Sequence, residues 1–199
     1  MSRNPWVTAP ADPPTPEPEA PQEVPETPTG PITPQRGVSA PARLLPISEE
    51  RVEARVWVVG AHGGAGESTV ASLADGWRAA EHTWPAMPGS NVVLTARTNS
   101  YGLMCARDAL TQWASGSTPD VNLLGLVLIE DAPGRSLPRT LRDLEKLVVG
   151  GAPRHWRIPW CEPWRLGEDA RITSPRQTRK AVSAVESLIT PGANNGRRN

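Results

Sequence analysis

Arg55–Leu73 reads RVWVVGAHGGAGESTVASL, and this stretch decides the fold. Val56–Val59 is β-branched and aromatic, the composition of a buried strand. It runs into a turn carrying Gly60, Gly63, Gly64 and Gly66, and Ser68-Thr69 then opens a helical pattern. A strand, a glycine-rich turn and a helix start in that order make a phosphate-binding loop, because closely spaced backbone N–H groups and a helix N-terminus face an anion. Such loops place a lysine before the Ser/Thr to reach the β- and γ-phosphates. Here that position is Glu67.

Outward from the loop, strand-like and helix-like segments alternate. Glu67–His82 is expected as a helix with Val70, Leu73, Ala74 and Trp77 on one face. Asn91–Ala96 (NVVLTA) reads as a second strand, and Leu103, Ala106, Leu110 and Trp113 follow at helical spacing up to Gly116. Leu123–Ile129 (LLGLVLI) is apolar throughout, as in a strand covered on both faces. A helix with Leu141, Leu144, Leu147 and Val148 stops at Gly150-Gly151, Arg154–Ile158 is a short fourth strand, and Ser174–Ile189 a last helix. This order predicts an α/β fold of three layers, α/β/α, with a mostly parallel sheet whose ligands lie at the carboxyl ends of the strands.

The chain has 199 residues with 21 basic and 21 acidic side chains, so no strong charge bias steers it to nucleic acid or membrane. Residues 1–50 are dense in proline and almost without large apolar side chains up to Pro46, and are expected as a disordered tail. Pro13–Pro18 also has the spacing of a polyproline II ligand for a partner protein. Residues 51–190 then form the compact domain and 191–199 a flexible polar tail. Cys105 and Cys161 stand far apart with no CxxC or histidine-rich partner, and His62, His82 and His155 lack metal-ligand spacing, so no metal site is expected. No segment approaches the roughly 20 apolar residues that span a bilayer, and nothing reads as a signal peptide. The expected setting is the cytoplasm.

The residues GAHGGAGEST resemble the deviant phosphate loop of ParA/MinD-type ATPases, x-K-G-G-x-G-K-[ST]-T. Gly63, Gly64, Gly66, Ser68 and Thr69 match that pattern, and Ala65 fills its variable position. His62 stands at the family's signature lysine and Glu67 at its phosphate-binding lysine. NVVLTARTNSYGLMCARDALTQW, LLGLVLIEDAPG and RHWRIPW resemble later segments of the family, so the likeness covers residues 55 to 165. The loop and the WRIPW segment are also similar to an uncharacterised group of actinobacterial and phage-borne P-loop proteins. The resemblance implies ATP and Mg²⁺ as ligands and a context of DNA partition or plasmid and phage maintenance. Against that pattern, both lysines are replaced, the strand bearing the family's magnesium and water aspartate is missing, and the adenine-reading Asn falls on Ile129. The chain therefore resembles a degenerate member, a binding or regulatory module, with an unorthodox nucleotide-binding ATPase of the same type as the alternative.

A carboxylate at Glu67 works against a triphosphate. Unit charges about 4 Å apart at an effective dielectric of ~20 interact by on the order of 4 kcal/mol, while micromolar affinity is only about 8 kcal/mol. Arg97 and Arg135 are the cations placed to compensate. A sharper expectation puts the Glu67 carboxylate in the anion site itself, taking the loop N–H groups. Glu130 and Asp131 end an apolar strand, either as Mg²⁺ ligands opposite Ser68 or as a solvated turn with Pro133-Gly134. Trp156, Trp160 and Trp164, interleaved with Arg157 and Arg165, either close a core that has no phenylalanine or offer a partner or base surface. The last helix, with Ala181, Val185, Leu188 and Ile189 on one side, docks on the sheet or, as in MinD-like proteins, on a membrane. Arg176, Arg179, Lys180, Arg197 and Arg198 form the candidate nucleic-acid patch that ParA-like proteins would use.

Overall fold

The computed structural model describes residues 27–49, 52–134 and 137–190. Five parallel strands form one sheet in the order β2-β1-β3-β4-β5: β1 Val56–Gly60, β2 Trp77–Ala79, β3 Asn91–Arg97, β4 Asn122–Ile129 and β5 His155–Ile158. The helices are α1 Glu67–Ala71, α2 Ser100–Ala114, α3 Arg139–Gly150, α4 Glu162–Arg165, α5 Ala170–Thr173 and α6 Arg176–Ile189. Side chains alternate across the central strands and feed two cores. Trp57, Val59, Leu94 and Leu128 join Leu103, Leu110 and Trp113 of α2 and Val148 of α3. Val56, Val58, Val93 and Val127 join Val70 of α1 and Ala181 and Val185 of α6. The apolar runs in β1, β3 and β4 follow from having both faces covered.

The expected helix Glu67–His82 ends after five residues at Ala71, and Trp77–Ala79 within its second half is strand β2. Asp75-Gly76 makes the break. Gly76 takes the left-handed conformation at φ 77°, and its carbonyl accepts from Arg55 N at 2.9 Å. Trp77 then turns onto the sheet opposite Val56, where its indole N–H donates to Glu186 of α6 at 2.6 Å. Helical spacing of Val70, Leu73, Ala74 and Trp77 was satisfied by burial against the same core, not by one continuous helix. The short helices α4 and α5 were likewise not anticipated.

Residues 27–49 lie in the segment expected to be disordered, yet they hold to the domain as a strap. Thr29 N donates to Pro153 O (2.9 Å) and Gln35 N to Ala114 O (2.7 Å). Leu45 exchanges two hydrogen bonds with the Gln112 side chain, each 2.9 Å. Trp84 N donates to Pro46 O, and Ser48 N to Trp84 O, both at 2.8 Å. Proline density lowers the backbone entropy to be lost on ordering, so a few hydrogen bonds suffice to seat the segment. Residues 1–26, with Pro13–Pro18, and residues 191–199 lie outside the described residues, as do Arg135, Arg197 and Arg198.

Candidate functional site

The carboxyl ends of β3, β4 and β5 converge on a cavity of about 470 Å³ beside the glycine loop, lined by Gly66, Thr69, Arg97, Ile129–Asp131, Trp160, Trp164 and Arg165. The sheet order reverses between β1 and β3, the place where α/β sheets open a crevice for ligands. Gly64 and Gly66 both adopt the left-handed conformation, at φ 77° and 82°. At Gly66 a Cβ would also lie 2.4 Å from Ile129 Cδ1, so the Ile129 side chain packs closely against the loop there. Gly63, Gly64 and Ser68 are exposed at the loop surface.

Glu67 is not in the anion cradle. Its side chain is only 6% exposed and turns beneath the loop toward the end of β2. One oxygen accepts from Ala80 N at 2.9 Å and His82 N at 3.2 Å. The other lies 3.1 Å from His82 Nδ1, which is also 3.1 Å from Gly60 O. With two oxygens as neighbours, Nδ1 carries the ring proton. Glu81 and His82 both hold positive φ, 52° and 61°, a conformation uncommon for residues with side chains. That bend turns the Ala80 and His82 amides onto a single carboxylate oxygen. Gly60 completes the arrangement, since a Cβ there would stand 2.5 Å from His82 Nδ1. The expectation that Glu67 takes its own loop's N–H groups is thus corrected: the amides it takes belong to the β2–β3 connection.

His62 is also turned inward, 5% exposed. Nδ1 donates to Gly63 O at 2.8 Å, and Nε2 accepts from Arg97 N at 3.2 Å. Burial, followed in sign by nearby His82, Arg97 and Arg43, holds its pKa below the ordinary histidine value, against the pull of the Gly63 carbonyl. Tyr101 meets the ring edge-on with centroids 5.5 Å apart. Arg97 spans the cavity floor, donating from Nε to Gly64 O and from Nη1 to Glu130 O, each at 3.1 Å. Burial lowers its pKa, Asp131 partly restoring it, and the guanidinium stays cationic. Arg97 therefore stands at the loop, tying the Gly64 carbonyl to that of Glu130.

The two acids at the end of β4 are engaged by protein. Glu130 accepts from Arg157 Nε at 3.0 Å and from Trp160 N at 3.2 Å, one bond per oxygen. Arg157 also pairs with Glu145 at 2.7 Å. Asp131 accepts from Thr98 Oγ1 at 2.9 Å. Among the described residues no group of three or more His, Cys, Asp or Glu side chains is placed to hold a metal ion. Thr69 reaches the cavity, while Ser68 is not among its lining residues.

The tryptophan cluster reaches the core with two of its members, since Trp164 packs against the same buried cluster as Trp156. Trp156 is buried in the second core. Trp160 and Trp164 line the cavity, with Arg165 stacked 5.4 Å over the Trp160 ring and Trp160 Nε1 donating to Glu162 at 2.8 Å. Helix α6 docks its Ala181 and Val185 on the sheet, leaving Arg176, Arg179 and Lys180 exposed. No helix among the described residues is long and apolar enough to cross a membrane. Sequence reading missed the partners of the inward-facing groups, Ala80 and His82 for Glu67 and Tyr101 for His62. No local pattern marks them, because each pair joins different elements.

No curated protein and no solved structure matches the chain significantly. A family profile does match residues 54–185, which span every strand and the loop, and the chain belongs to that family of unknown function, DUF6668.

Proposed function

We propose that this chain is a catalytically degenerate P-loop protein of the ParA/MinD type, a three-layer α/β/α domain working in the cytoplasm as a binding or regulatory module in DNA partition or plasmid and phage maintenance. The observation that carries the reading is the Glu67 carboxylate, which occupies the lysine position of the loop and is fastened inward to Ala80 and His82. No cation reaches the loop from that position, and Glu130, following β4, has both oxygens committed to Arg157 and Trp160. A lysine contact to phosphate is commonly worth ~1.5–3 kcal/mol, and phosphoryl transfer depends on such positioned charge. A cradle without it retains a binding shape and loses catalytic power. The test is ATP turnover by the purified full chain with Mg²⁺ present: background rates are expected, and magnesium-dependent turnover abolished by Ser68→Ala would refute the reading.

Arg97 favours a second reading, an unorthodox nucleotide-binding ATPase. Its guanidinium lines the cavity beside Gly66 and Thr69, where it would contribute the charge that Glu67 lacks. Thermal stabilisation by ATP, dependent on Mg²⁺ and lost in Arg97→Ala, would favour this alternative; no stabilisation would favour the first.

A further inference from the structure

The strap, residues 27–49, lies outside the stretch matched by the family profile, yet one of its side chains reaches the neighbours of the glycine loop. Arg43 donates from Nη2 to the Tyr101 hydroxyl at 3.0 Å and from Nη1 to Cys105 Sγ at 2.9 Å, with its guanidinium 5.3 Å from the Tyr101 ring centre. Tyr101 sits in the first turn of α2 and presses edge-on against His62. His62 then grips Gly63 O and Arg97 N. Each link is a direct contact, so a continuous path runs from the strap through α2 to the loop and the end of β3.

We propose that residues 27–49 are a control strap: Arg43, through Tyr101 and His62, holds the glycine loop in its observed shape, so that displacing the strap loosens the loop. The strap suits this role because none of its residues is fully buried. It is fastened by discrete hydrogen bonds at Pro153, Ala114, Gln112 and Trp84. Segments with few buried contacts open at lower free energy than a core. Lifting the strap removes the hydroxyl and face contacts that hold the Tyr101 ring, and the freed ring no longer confines the imidazole. Coupling is reciprocal: any molecule that seats on the loop and requires another His62 position weakens the strap by the same factor. The inference concerns the loop's shape and stands whether or not nucleotide binds there.

Amide hydrogen exchange on the full-length protein tests it, read at Ala65 and Arg97, whose N–H groups bond to the His62 carbonyl and ring. Arg43→Ala is expected to speed exchange at both about fivefold, the scale of one lost hydrogen bond, with β4 amides unchanged. Arg43→Lys retains a cation over the ring and is expected to restore part of the protection. The His62 imidazole midpoint, followed by NMR, should rise in Arg43→Ala because a nearby cation is gone. Tyr101→Phe removes only the hydroxyl and should loosen Ala65 and Arg97 while Leu45 stays protected; it carries the test alone if Arg43→Ala fails to fold. Rapid exchange at Leu45 and Ser48 in Arg43→Ala, with Ala65, Arg97 and the His62 midpoint unmoved, would overturn the proposal. So would unchanged Ala65 and Arg97 exchange in Tyr101→Phe.

Discussion

Replacing Glu67 tests whether this residue is a repulsive relic or a structural anchor. Its carboxylate is 94% buried and takes two backbone N–H bonds at 2.9 and 3.2 Å, with His82 Nδ1 at 3.1 Å from the second oxygen. A hydrogen bond to a charged group contributes about 1.5–3 kcal/mol, against about 0.5–1.5 kcal/mol for a neutral one. Glu67→Gln keeps an acceptor and loses the charge, so a loss of about 2 kcal/mol is expected over the two bonds. Glu67→Ala leaves the Ala80 and His82 amides without their acceptor and should lose about 3–5 kcal/mol. The His82 contact is discounted, because that side chain is 41% exposed and solvent screens the pair. Urea denaturation of the full chain measures both, as a lower midpoint at constant slope. Glu168, exposed in the connection between α4 and α5, is the control and should change by less than about 0.5 kcal/mol as Gln. If the Glu67 variants behave like the Glu168 control, the carboxylate anchors nothing and the account of the loop fails.

Gln112→Leu should cost about 2–4 kcal/mol in the same assay. Gln112 is 1% exposed, and its amide serves Leu45 N, Leu45 O and the Trp84 indole; a midpoint within error of wild type would refute that role. His62 titrates below its unfolded value because burial disfavours the imidazolium. A histidine with a depressed native pKa contributes stability that is complete above the unfolded pKa, about 6.5, and is lost as pH falls below it. Stability of the wild type relative to His62→Gln should therefore drop between pH 7.5 and 5.5, with a slope of at most about 1.4 kcal/mol per pH unit; parallel profiles would refute it.

Much of the fold was legible in the sequence because its signals are local. Val56–Val59, Asn91–Ala96, Leu123–Ile129 and Arg154–Ile158 became β1, β3, β4 and β5, each shifted by one residue at one end. Gly150-Gly151 stopped α3 as expected. The second strand was not legible. Trp77–Ala79 is too short to show alternation, and its pairing with Val56–Val58 supplies what its own pattern lacks. The strap was read as disordered for a similar reason: its composition offers little apolar surface, and its anchors at Gln112, Tyr101 and Trp84 lie 36 to 67 positions away in the chain.

Sequence alone determined four of the five strands, the parallel sheet, the position of the glycine loop at a strand end and the acid, Glu67, that follows its last glycine. Those follow from residue type and spacing along the backbone. Only the tertiary structure decided where that acid points. A carboxylate at the first turn of a helix is compatible with the loop's own N–H groups, and the choice went to Ala80 and His82 because a left-handed bend after β2 brings both amides to one oxygen. The outcome depends on how two segments 13 and 15 residues apart are packed, and no local pattern records that.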